Sequence, residues 1–221
     1  MIVIIIACSG DLSQQEVIPD PVIPGQSFIS ASRSLGEISG AENSFMYKLK
    51  QLITGTEGVP ALTRPTGIVI ETSGDVYIVD ADKAQILHYH YEENRLTSIT
   101  AFGNENLISP WGIEIIAGVI YVSDLGRGEI VRFGRNYMFL GALAVDGLVR
   151  PGQLKFNATS GRLLIVDTPG HQVLAVDTLG IVQASIGNDS RGKPLLKNPV
   201  AVDITPDGRL VILDGLSRRV E

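Results

Sequence analysis

One cysteine, one tryptophan and three histidines are all that this 221-residue chain has of the residues that most often staple, stack or bind metals. The single cysteine, Cys8, excludes an internal disulfide. Three histidines, His88, His90 and His171, are too few for a histidine-rich metal centre. Positive charge is also short: 18 Lys and Arg stand against 24 Asp and Glu, for a formal net charge of −6, and the basic residues are scattered, with only Arg218 and Arg219 adjacent. Phosphate recognition needs a basic stripe, so nucleic acid is not an expected partner. No apolar run reaches the roughly 18 residues that a membrane span needs. Neither a Gly-x-Ser-x-Gly elbow nor a Gly-rich phosphate loop occurs.

What the chain does have is turns and apolar strands. With 44% hydrophobic residues it can fill a core, and its 24 glycines and 11 prolines break it into short pieces. From Pro65 onward the sequence repeats. Units open at Pro65-Thr66-Gly67-Ile68, Pro110-Trp111-Gly112-Ile113, Pro151-Gly152-Gln153-Leu154 and Pro199-Val200-Ala201-Val202, in steps of 45, 41 and 48 residues. Each unit then has a turn glycine (Gly74, Gly118, Gly161, Gly208) and an apolar strand closing on aspartate (Asp80, Asp124, Asp167, Asp214). A β-branched residue follows six positions later (Ile86, Ile130, Val173, Val220), where a third strand starts. Fourth strands are expected at 96–102, 137–143 and 181–186, and 45–53 is expected to close a preceding unit. The first strands alternate. Ile68, Ile113, Leu154 and Val202 share one apolar phase, and Val69, Glu114, Lys155 and Asp203 occupy the other, a period of two that means strand. Four short antiparallel strands per unit of about 45 residues predict an all-β chain of propeller blades, which stack radially because one such sheet cannot bury both its faces alone.

The Pro-x-Gly-Ile … Gly … Tyr-Ile/Val-Val/Ser-Asp … Ile pattern resembles the NHL-repeat propellers, in four copies over about 155 of the 221 residues. Gln153 and Ala201 depart from it at the glycine position. That family is commonly six-bladed, and six such units need roughly 270 residues. The resemblance therefore implies about four blades of a six-bladed propeller, starting near 65, 110, 151 and 199 within a domain over 44–221; the alternative is a closed four-bladed ring in which 45–53 completes the fourth blade.

The N-terminus carries a second resemblance. Ile5-Ile6-Ala7-Cys8 is similar to the lipobox of bacterial lipoproteins, which implies a signal over 1–8, lipidation of Cys8 and a chain held at the bacterial cell envelope, facing the periplasm or exterior. Membrane contact is then expected only through the lipid. Residues 9–43, rich in serine and acidic residues, with Pro19, Pro21 and Pro24, read as a flexible tether.

Candidate functional residues lie in the loops. Connections between blades (55–64, 103–109, 146–150, 187–198) and between second and third strands emerge on one face of a propeller. Together with the blade-opening residues they carry Arg64, Trp111, Arg127, Arg150, His171, Arg191 and Lys193, and an aromatic ring among arginines suits a sugar, a peptide carboxylate or an acidic polymer. The four aspartates are expected to fix turns by accepting backbone N–H groups. Glu114 and Lys155 are expected to pair across a blade interface. His88 and His90, at i and i+2, share a side of a third strand. They are read as exposed, with no third ligand fixed by spacing, so no metal site is assigned. No cofactor is expected, and a channel Ca or Zn ion has no support in the sequence. The sequence thus points to a binding or scaffold module for a protein, peptide or glycan. The alternative from the resemblance is a metal-dependent propeller lyase or lactonase working at the central channel.

Overall fold

A computed structural model describes residues 4–6, 62–102, 104–188, 191 and 193–216. The expected tether, Cys8, the 45–53 strand and Val220 lie outside them. β1 (Ile4–Ile6) comes first. Blade 1 is β2 (Pro65–Ile70), β3 (Val76–Asp80), β4 (Gln85–His90) and β5 (Arg95–Ile99). A two-strand hairpin, β6 (Ala101–Phe102) with β7 (Glu105–Asn106), leads to blade 2: β8 (Pro110–Ile116), β9 (Val119–Asp124), β10 (Glu129–Phe133) and β11 (Phe139–Leu143). Blade 3 is β12 (Leu154–Asn157), β13 (Arg162–Asp167), β14 (Gln172–Val176) and β15 (Val182–Ile186). The fourth unit contributes β16 (Pro199–Ile204) and β17 (Leu210–Asp214). Blades 1 to 3 are four-stranded antiparallel meanders, and the first strands contact one another in the order β2, β8, β12, β16. β1, which the sequence places in the signal, runs parallel to β17 on the edge away from β16, with Ile4 opposite Val211.

Apart from Arg162 and Ser123, the second strands are apolar up to their closing aspartate, because both faces of β3, β9 and β13 are covered. Leu163 and Ile165 of β13 enter the core between blades 2 and 3, while Leu164 and Val166 enter the one between blades 3 and 4. A third core, between blades 1 and 2, holds Tyr77, Val79, Phe102, Val122 and Phe133. Fully burying such side chains contributes about 1.5–3 kcal/mol each. The four turn glycines all have positive φ, from +66° to +93°, backbone that a Cβ disfavours.

The Pro-x-Gly openings have a steric cause. A Cβ on Gly67 would lie 2.8 Å from the Trp111 carbonyl oxygen, and one on Gly112 would lie 2.6 Å from that of Gly152. The first strands approach each other backbone to backbone here, so glycine is required. In blade 3 the same position holds Gln153, whose Oε1 instead accepts the Val202 N–H at 2.6 Å. The departure from the pattern is thus a side-chain bridge to the next blade.

One expectation of burial fails in blade 1. Ile113, Leu154 and Val202 are buried, but their counterpart Ile68 is 57% exposed, and Ile70 is 62% exposed. The apolar phase faces the preceding blade. Ile113, Leu154 and Val202 each meet one, whereas no blade precedes β2 among the described residues.

Candidate functional site

The loop face is held by a repeated clamp. Each blade-opening proline lacks an N–H, and Pro65, Pro110 and Pro199 stand opposite Asp80, Asp124 and Asp214 in the ladder. Each fully buried carboxylate takes over the donors just upstream. Asp80 accepts the N–H groups of Thr63 and Arg64 at 3.0 and 2.9 Å. Asp124 accepts those of Ile108 and Ser109 at 2.8 and 2.9 Å, and of Gly126 and Arg127 in its own turn at 3.0 and 3.3 Å. Asp167 does the same for Val149 and Arg150, and Asp214 for Lys197 and Asn198. Burial alone would raise the Asp80 carboxyl. The Thr63 and Arg64 N–H groups, with Gln85 and Lys83, outweigh it and hold the group below its usual range.

The clamps position the connections that carry the predicted binding residues. The Arg64 guanidinium lies 5.7 Å from the Trp111 ring centroid, and its Nε is 2.7 Å from Asp82. Ile108 and Val149, at equivalent places before Pro110 and Pro151, are each 60% exposed. Arg150 follows Val149 and is exposed too. His171 Nδ1 lies 2.5 Å from the Lys197 carbonyl, and Arg191 is exposed. Arg127 is differently employed. It donates to Glu105 at 2.7 Å and to the Asn106 carbonyl at 2.8 Å, bracing β7 against the turn after β9.

Along the first strands, Glu114 does not pair with Lys155. Its two oxygens accept the Phe156 N–H of the next blade at 2.9 Å and the Ile115 N–H at 3.0 Å. Lys155 Nζ instead reaches Asp203 at 2.9 Å. At Glu114 the polar phase meets the neighbouring backbone, and at Lys155 the neighbouring charge. These strands border a hollow of about 320 Å³, lined by Ile68, Ile70, Glu114, Gln153, Lys155 and Phe156 among others.

The histidines on β4 are not as the sequence suggests. His88 is only 4% exposed. Blade 2 covers it: Tyr137, at a positive φ just before β11, brings its hydroxyl within 2.6 Å of His88 Nδ1. The imidazole stacks on Tyr77 at 3.8 Å between centroids and meets the His90 ring, tilted by 34°, at 3.8 Å. Asp75, in the turn before β3, lies with Oδ2 3.3 Å from His88 Nε2, and its Oδ1 accepts the Tyr91 N–H at 2.9 Å. Burial, then His90, push His88 down to about 4 although Asp75 pulls the other way. Asp75 is itself held low, its Tyr91 and His88 contacts outweighing burial. One ligand-type atom from each of Asp75, His88 and His90 lies within 4.8 Å of the others. The missing carboxylate was readable. Asp80 pairs with Gln85 across the β3–β4 hairpin and Val76 with Tyr89, so one further step sets Asp75 opposite His90. Tyr137 carried no such signal, because it arrives from another blade.

The radial meanders, the repeated clamp and the seams between blades define an array of β-propeller blades. Solved structures agree on the fold. The chain is similar to a virginiamycin B lyase from Staphylococcus aureus solved with quinupristin, at 13% identity and a TM-score of 0.54, over 69% of this chain and 50% of that one. It is similar to Kuenenia stuttgartiensis hydrazine synthase at 17% identity and 0.55, over 75% and 46%. A streptogramin B lyase matches at 12% and 0.51, over 73% and 57%. The chain thus spans about half the length of these structures. No protein-family model and no curated protein matches it.

Proposed function

We propose that this chain is a binding module: a propeller whose inter-blade loop face receives a protein, peptide or glycan partner, carried at the bacterial cell envelope by lipid on Cys8. The observation that supports this reading most is the Arg64–Trp111 stack, set on a face where Ile108, Val149 and Arg150 are exposed and every connection is fixed by a buried carboxylate. A flat aromatic ring backed by a cation, with apolar and cationic neighbours, offers stacking and charge to an anionic group such as an acidic peptide or an acidic sugar. Rigid scaffolds with loop-borne contacts favour binding sites. The polar residues of the first strands are meanwhile used within the fold, Glu114 on backbone and Lys155 on Asp203. Two of the similar structures are lyases, and at 12–13% identity that likeness concerns the fold.

The test is direct binding of the purified chain to peptide and glycan arrays, followed by titration of the best hit. Trp111→Ala is expected to weaken binding at least about tenfold, as truncating an aromatic anchor does. Arg150→Ala is expected to weaken it less. Unchanged affinity in Trp111→Ala would remove this face from the account. Envelope attachment is tested by radiolabelled palmitate in a bacterial host, with Cys8→Ser expected to abolish incorporation.

A further inference from the structure

We infer that Asp75, His88 and His90 form a binding site for one zinc-type divalent cation at the outer seam between blades 1 and 2. The donor set is two imidazoles and one carboxylate, a combination suited to zinc. The three ligand-type atoms already lie within 4.8 Å of one another. The separation of Asp75 Oδ2 and His88 Nε2, 3.3 Å, is informative. A charge-assisted N–H···O⁻ bond closes to about 2.7–2.9 Å. Two ligands about 2.0–2.1 Å from zinc at a tetrahedral angle stand about 3.3–3.4 Å apart. The pair is thus spaced as neighbouring vertices of a coordination tetrahedron rather than as a tight hydrogen bond.

The surroundings fit the same use. Metal-bound histidines donate their other ring N–H to an oxygen that fixes the tautomer and aims the ligand nitrogen. Tyr137 Oη sits 2.6 Å from His88 Nδ1, which leaves Nε2 turned to Asp75. Thr97 Oγ1 lies 3.1 Å from His90 Nε2, which leaves Nδ1 open. Asp75 is steadied by the Tyr91 N–H on its other oxygen. Tyr77 stacks under His88 within 18° of parallel, locking the ring plane. The nearby guanidinium of Arg95 is occupied by Glu93 at 2.7 Å and by Thr97 at 2.6 Å. Asp75 and His90 are each only partly buried, so an ion reaches the site from solvent. Three protein ligands leave a fourth position for water or for an anionic group.

The experiment uses the full chain without a histidine tag, stripped by a chelator and titrated with Zn²⁺ by calorimetry and with Co²⁺ by visible absorption. The expected result is saturation at one ion per chain, with the intense visible bands of tetrahedral Co²⁺. His90→Ala, at a partly exposed ligand and so less able to harm folding than a change at buried His88, is expected to abolish tetrahedral binding. Asp75→Asn is expected to weaken it at least tenfold, and Tyr137→Phe to weaken it about tenfold through the outer hydrogen bond. Absence of a saturable equivalent, or binding unchanged in folded His90→Ala, overturns the inference. So does equal loss in His171→Ala, since that histidine lies in a different blade.

Discussion

Asp124→Asn isolates what a clamp carboxylate does, because it keeps the shape of the side chain and changes only one oxygen and the charge. Asp124 is fully buried and accepts four backbone N–H groups, one on Oδ2 from Ile108 and three on Oδ1 from Ser109, Gly126 and Arg127. In its better orientation the asparagine keeps its oxygen on the three donors and turns its NH₂ group toward the Ile108 N–H, donor against donor. Stranding a buried donor costs about 1–3 kcal/mol, and the remaining bonds lose their charge assistance, roughly half their strength. The expected total is about 2–4 kcal/mol. At about 2–4 °C per kcal/mol for a domain of this size, the melting temperature should fall by roughly 5–15 °C. The control is Asp177→Asn. Asp177 also accepts two N–H groups, from Leu179 and Ile181 at 2.9 Å, but both on Oδ1 and in an exposed turn, so an asparagine keeps both bonds and water solvates its NH₂ group. Its cost should stay within about 0.5 kcal/mol. Urea unfolding followed by the fluorescence of the single tryptophan measures both. If the two variants lie within about 0.5 kcal/mol of each other, the clamp is not what fixes the connections.

Three further outcomes are expected. Gly112→Ala forces a Cβ to within 2.6 Å of the Gly152 carbonyl, so it should lose about 1–3 kcal/mol in the same urea assay; a neutral result would mean that the first strands can separate freely. Asp80 has a carboxyl held below its ordinary value, so its contribution is present above about pH 4 and is lost as pH falls through the folded value. Acid titration of stability should therefore show a smaller acid-side loss in Asp80→Asn than in the wild type, and an identical loss would contradict it. A double-mutant cycle on half-buried Lys155 and exposed Asp203 should give coupling of at most ~1 kcal/mol; the corresponding cycle on Glu114 and Lys155 should give none.

The repeat was legible because each of its marks answers a local backbone need. The proline lacks a donor, the aspartate supplies acceptors, the turn glycine has positive φ, and the opening glycine meets a neighbouring carbonyl. Those needs recur at fixed offsets, so four copies in register gave the blades and most strand positions. What crosses from blade to blade was harder to read. Alternation told which side of β8 Glu114 faces, but not that the Phe156 N–H stands nearer than the Lys155 ammonium. The burial of His88 depends on Tyr137, which comes from 49 residues away, and β3–β4 register supplied Asp75 only when carried one pair past the strand. That Trp111 and Arg64 lie close together follows from their positions beside the opening prolines, whereas the bracing role of Arg127 depends on the β6–β7 hairpin, for which no pattern in the sequence stood out.

The reach of the bridging side chains has a further consequence. Ser123 ties Gly112 to the Gly152 carbonyl, Gln153 ties to Val202, and Thr168 to the Pro199 carbonyl, so each of these bonds ends within one blade of where it begins. The clamp is still more local, joining an aspartate to the entry of its own blade. A gene encoding such a chain can therefore gain or lose a whole unit by unequal recombination without disturbing contacts two units away. The inheritable part is the unit with its forward-facing bond, and the number of units is free to drift until a ligand or the closure of a ring sets it.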